Sequence, residues 1–121
     1  MLVPRLIGLA ALAIGIAGCA ELRNDLRLGF AETARIERGK AHFHSVCVAC
    51  HGEGSQPSPN RIAPRVEMIA QRYSPQGLAR ELEAIADVGH YGMPTVRTTP
   101  AERRDLVAFI SSLQSPSAAG R

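Results

Sequence analysis

An all-α fold of about four helices is what this chain predicts, and three observations predict it. Apolar residues recur at helical spacing wherever they cluster, and no run alternates apolar and polar residues as a half-buried strand does. Two segments open on helix-start signals, Ser74-Pro75 and Thr99-Pro100. The chain has 121 residues, room for one small domain at most. A domain of that size buries a low fraction of its surface and is marginal without a staple, a metal or another bound group.

The elements follow in order. Met1 to Arg5 carries one positive charge, and Leu6 to Ile16 is an uncharged apolar run, the pattern of an export signal. It is shorter than the roughly 20 apolar residues that a spanning helix needs. Residues 1–18 are therefore expected to be a signal peptide, 19–33 a tether and 34–114 the folded domain. Thr33 is expected to cap a first helix running to about Val48, with Ile36, Gly39, Phe43 and Val46 on one face. Gly52 to Asn60, rich in Gly and Pro, breaks it. Val66, Ile69, Ala70 and Tyr73 give a short second helix. Ser74 then caps a third, with Pro75 first, running to about Val88; Leu78, Leu82 and Ile85 face inward, and Gly89 supplies a left-handed end. A loop covers His90 to Thr98. In the last helix Thr99 is the cap and Glu102 completes a capping box, ahead of an apolar stripe of Leu106, Phe109, Ile110 and Leu113. Residues 115–121, rich in Ser and Ala, are expected to be a disordered tail.

Composition excludes several functions. Lys+Arg number 14 and Asp+Glu 11, but the basic residues are scattered and nearly all Arg, with Lys40 alone and no Trp, so nucleic acid is not an expected partner. No paired carboxylates, activated nucleophile or phosphate-binding loop is recognisable, so no catalysis is expected of this chain alone. The net charge of +3 by itself says nothing about partners.

The cysteines carry more. Cys47-Val48-Ala49-Cys50-His51 is a CxxCH sequence, the attachment site of a c-type haem, where two thiols form thioethers and the adjacent imidazole binds iron. Two intervening residues match one helical turn, so both sulfurs meet the same edge of the macrocycle. Three other readings compete. A redox disulfide wants a βαβ setting, which is missing. A zinc site wants four ligands, and His42 and His44 stand upstream at the wrong spacing. A structural disulfide between Cys47 and Cys50 is the third. The expectation is one covalently bound haem c per chain.

The remaining cysteine ends the sequence Ile16-Ala17-Gly18-Cys19, which resembles the bacterial lipoprotein box. That resemblance implies lipidation of Cys19 and attachment to the periplasmic face of a bacterial membrane. The alternatives are an ordinary cleaved signal, leaving a soluble periplasmic protein, or an uncleaved anchor with Cys19 incidental. The several acyl chains of a lipoprotein would hold the protein firmly, since each buried methylene adds about 0.8 kcal/mol of membrane affinity.

From about Arg35 to Leu113 the chain resembles the class I monohaem c-type cytochromes. The resemblance rests on a first helix with Gly39 and, four residues on, Phe43, on CxxCH followed by Gly52, and on a last helix bearing Phe109. It implies that the first and last helices cross in contact at Gly39; the alternative is a tolerated helical glycine. It implies that the Pro64 carbonyl accepts a hydrogen bond from the second nitrogen of His51. For the sixth iron ligand it points to Met93, in the loop sequence Gly92-Met93-Pro94, with His90 the next candidate and Met68 the third. Met68 reads better as a gap-filling core residue. His42 and His44 read as surface residues. The expected apolar wall is Phe43, Val46, Leu82, Ile85 and Leu106, with Arg61, Arg65, Arg72 and Tyr73 as candidates for the haem carboxylates.

The function implied is single-electron transfer by a monomeric carrier that docks transiently on periplasmic or membrane redox proteins. One rival is a cytochrome subunit of a periplasmic oxidoreductase complex, which a stable complex would reveal. The other is a haem gas sensor, which needs an open distal site.

Overall fold

The computed structural model describes residues 3–89 and 92–114, with side chains from Glu21 onward. The expected His90 and the 115–121 tail lie outside the described residues, as does the side chain of Cys19. Every described element is helical: α1 (Val3–His42), a π-helical turn (Phe43–Cys47), α2 (Val66–Arg72), α3 (Pro75–Val88) and α4 (Pro100–Ser112). The chain forms two compact units, Met1–Thr33 and Ala34–Arg121.

In the first unit the residues expected as a tether are helical, and the side chains from Glu21 to Thr33 are exposed. Thr33 does not start a helix. Its hydroxyl donates to the Gly29 carbonyl one turn back, at 2.9 Å, the bond a threonine makes inside a helix. Good helix formers, Ala31, Glu32 and Ala34, surround it, and no proline stands between Pro4 and Pro57 to interrupt. No helix among the described residues is long and apolar enough to cross a membrane.

The second unit is built on the crossing of the end of α1 with α4. A Cβ on Gly39 would overlap the backbone carbonyl of Asp105 and come within 2.9 Å of Phe109 Cβ. Phe43, one turn on, then meets Phe109 with ring centroids 5.6 Å apart and a tilt of 50°. Outside this contact Arg38 grips Asp105 with both ends of its guanidinium fork, at 2.7 and 3.0 Å. The resemblance located this crossing correctly. Val66 and Ala70 of α2, Leu78 of α3 and Leu106, Phe109 and Ile110 of α4 complete the core around Phe43.

The first helix departs from the expected pattern at its end. The amide of Val48 donates to the Phe43 carbonyl five residues back, at 3.0 Å, so the last turn is wider than an α turn. The extra residue rotates Val46 out of line, leaving it 41% exposed, and brings Cys47 against the core instead. Val46 is therefore not part of the apolar wall. Met68 is also misplaced by the sequence reading: it is 49% exposed on the outer face of α2 and fills no gap. His42 is half-buried, its Nδ1 3.8 Å from Glu102 Oε1, and its Nε2 is buried without a partner, so it is not a surface residue. His44 is exposed as expected, with Nε2 2.5 Å from Glu53 Oε2.

Helix ends hold by local chemistry. Ser74 Oγ accepts from the Gly77 amide at 3.2 Å with Pro75 in the first turn, as expected. Thr99 Oγ1 accepts from the Glu102 amide at 3.2 Å while Glu102 Oε2 accepts from the Thr99 amide at 2.7 Å, the full capping box. Those bonds hold the Glu102 carboxylate below its ordinary range, the Thr99 amide first among the causes. The C-terminal end of α2 is closed from far away, where Gln114 Nε2 donates to the carbonyls of Ala70 and Tyr73 at 2.9 and 2.8 Å.

Two outcomes follow from this packing. Gly39→Ala should destabilise the domain by about 2 kcal/mol, the cost of overpacking, although alanine favours an isolated helix by about 1 kcal/mol. Thermal melting of the holoprotein tests it, and an unchanged or raised midpoint would refute the close crossing. Arg38 holds the Asp105 carboxylate below its usual range, chiefly through their hydrogen bonds. A depressed acid contributes stability above its unfolded value, near 3.9, and loses it as pH falls through the folded value. Asp105→Asn should therefore lose less stability than wild type on titration below about pH 4, and parallel curves would show that the pair adds nothing.

Candidate functional site: a cavity at the CxxCH turn

The π turn delivers Cys47 to the core, and a tight turn follows in which the amides of Cys50 and His51 both donate to the Cys47 carbonyl, at 3.0 and 2.8 Å. The chain then reverses sharply. A Cβ on Gly52 would lie 2.9 Å from both the Gln56 carbonyl oxygen and the Ser58 nitrogen, so only glycine allows the loop to fold back at this distance. The Asn60 amide returns to the Cys50 carbonyl at 3.2 Å, and the Val66 amide, at the start of α2, takes the Gly52 carbonyl at 2.9 Å.

This folded loop positions His51. The ring is 7% exposed, and its Nδ1 lies 2.7 Å from the carbonyl oxygen of Pro64. A carbonyl can only accept, so Nδ1 carries the proton and donates. In the neutral ring this tautomer keeps the lone pair on Nε2, the form in which imidazole binds a metal.

His51, Cys47, Pro64 and Met93 border one cavity of about 270 Å³. Its walls are Phe43, Leu78, Leu82, Ile85, Leu106 and Ile110, drawn from the π turn, α3 and α4. Met93 reaches it from the loop after α3, and with His51, Cys50 and Pro64 it also borders a second recess of about 40 Å³. Gly89 and Gly92, both at positive φ, shape that loop. At Gly89 a Cβ would lie 2.9 Å from the Met93 carbonyl, so the loop turns back closely on the end of α3. Burial, and then the neighbouring Cys50, push the Cys47 thiol above its ordinary value. Among the described residues no three His, Cys, Asp or Glu side chains gather to hold a metal ion unaided.

The chemistry of the wall fits a haem. It offers an apolar face, the Cys47 thiol and the His51 imidazole, the Met93 thioether on a loop, and a guanidinium and a phenol, Arg72 and Tyr73, for carboxylates, while the second thiol, Cys50, borders the smaller recess that shares His51 and Met93. Arg61 and Arg65, also considered for that role, do not border the cavity; Arg65 Nη1 instead donates to the Gly54 carbonyl. Met68 does not reach it either. The sequence reading missed Glu81, which borders the cavity one residue before Leu82. On a helical wheel it flanks the stripe of Leu78, Leu82 and Ile85, three residues after the first and four before the last, so it borders the wall from the stripe's edge.

A four-helix domain with a CxxCH turn opening on an apolar cavity is a c-type cytochrome domain. The family model described as cytochrome c oxidase, cbb3-type, subunit III matches residues 34–110, and the chain belongs to that family. No curated protein and no solved structure matches it. The domain accordingly carries covalently bound haem c, which the Cys47-Cys50-His51 sequence fits, and transfers electrons through it.

Glu81 and Arg72 place opposite charges in the cavity wall. Glu81→Gln removes negative charge and should raise the haem midpoint potential, while Arg72→Gln should lower it. Redox titration of both variants tests this, and unchanged potentials would remove these residues from the electrostatics of the site.

Proposed function

We propose that the protein is an exported, single-haem electron carrier in which His51 and Met93 are the two axial ligands of the iron, and Pro64 orients His51. The observation that carries this reading is the placement of His51 and Met93 on the borders of the same two cavities, with His51 Nδ1 engaged at 2.7 Å by the Pro64 carbonyl. When bound, the haem cycles between ferric and ferrous states. The chain's own contribution is to hold the imidazole in one tautomer, to offer a thioether from a loop braced on α3, and to keep the macrocycle among apolar side chains. A His/Met pair raises the potential relative to two histidines, and burial of the charged centre raises it further. A methionine at the distal position also closes the site that a gas sensor would leave open. No catalysis is assigned to the chain itself.

In this reading residues 1–18 are a cleaved signal, Cys19 is acylated, residues 19–33 link the anchor to the domain, and the cytochrome domain spans 34–114. The protein then works as a monomer at the periplasmic face of a membrane and meets its redox partners transiently. A second reading has support in the family's description: the chain serves as the haem subunit of an oxidase complex. Extraction in mild detergent separates the two, since a carrier migrates alone and a subunit stays with a larger haem complex.

The ligand assignment is tested by Met93→Ala expressed with a haem-attachment system. Haem should remain covalently bound, the sulfur-to-iron band should vanish and the midpoint potential should fall. Persistence of that band in the variant would exclude Met93.

A further inference from the structure

The segment between the proposed anchor and the cytochrome domain is a helix with large apolar side chains exposed along it. Within α1, Leu22, Leu26 and Phe30 are exposed, although they are large and apolar. At about 100° per residue they fall within an arc of about 80°, and Cys19 takes a register position inside the same arc. Arg23 and Arg27 lie about 60° and 100° from the centre of the arc on one side; Asp25, Glu32 and Glu21 lie about 100° to 140° away on the other, so Arg23 borders the stripe more closely than any carboxylate, and Arg27 stands as far off as Asp25. The remaining exposed leucine of the segment, Leu28, falls on the opposite side of the helix.

We propose that residues 19–30 lie flat on the phospholipid surface, with Leu22, Leu26 and Phe30 in the acyl boundary and Arg23 and Arg27 among anionic headgroups. The proposal rests on the reading in which Cys19 is the membrane anchor. An acyl chain on Cys19 enters the bilayer at one end of the stripe, and the apolar side chains continue along about 16 Å of helix from that point. A second copy of the chain is a poorer occupant. Three apolar side chains make little more than two turns of seam, whereas a paired helix needs three or four heptads. A bilayer needs no matching seam, and the anchor already holds the helix at its surface. Residues 19–30 are thereby held along the membrane plane beyond the anchor itself.

The chain contains no Trp, so a single substitution gives a unique probe. Phe30→Trp and Leu28→Trp, each in the full-length holoprotein, are mixed with vesicles of phosphatidylethanolamine and phosphatidylglycerol, and iodide quenching is measured before and after. The expected result is a several-fold loss of quenching and a blue shift at position 30 on adding vesicles, with position 28 still accessible. Equal accessibility at both positions would overturn the proposal, and so would shielding of position 30 before vesicles are added, which marks a second copy as the occupant. Mass spectrometry of the N-terminal peptide reads acylation of Cys19 separately. An acylated protein with position 30 accessible keeps the anchor and removes the surface; an unacylated protein with position 30 shielded keeps the surface and removes the anchor.

Discussion

The close approach of α1 to α4 at Gly39 is the constraint on which the cytochrome domain depends. With no side chain there, the α4 backbone at Asp105 rests directly on α1, and Phe43 can reach Phe109. Phe43 in turn begins the π turn, whose extra residue decides that Cys47 rather than Val46 meets the core. The position of the thiol thus descends in three steps from a missing Cβ. A wider crossing would loosen the cavity wall formed by Leu106 and Ile110 as well, because both lie on the same helix.

The second organising contact is the bond from His51 to Pro64. It acts on the tautomer as much as on the orientation, since the proton it holds on Nδ1 frees Nε2 for a metal. The loop that supplies Pro64 is itself fastened at both ends, by Asn60 to Cys50 and by Val66 to Gly52. The bond therefore costs little further ordering when the site forms, and the imidazole is held before any ligand arrives on the other face.

Most of the fold is legible in the sequence because its signals are local. Ser74-Pro75 and Thr99-Pro100-Glu102 mark helix starts through bonds made within one turn, and they fall where expected. Stripes such as Leu78, Leu82 and Ile85 are legible for the same reason. What was not legible depends on distant partners or on a change of helical phase. The π turn has no sequence signature of its own, and it displaced Val46. Met68 sits outside because the short α2 buries only Val66 and Ala70. His42 is half-buried because α4 brings Glu102 to it. Glu81 enters the cavity wall from the flank of an otherwise apolar stripe, and Gln114 closes α2 across a gap of more than forty residues, beyond any local pattern.

The order of these parts along the chain has a consequence for how the protein is made. A polypeptide emerges from its N-terminus, so Cys47 and Cys50 are available while α4 and Gln114 have yet to appear. Until they do, Gly39 has no backbone to meet, the end of α2 is unclosed, and the wall of Leu106 and Ile110 is missing. Maturation thus has a built-in interval in which the two thiols stand open to covalent modification. The same late-arriving helix ends that interval by adding Leu106 and Ile110 to the cavity wall.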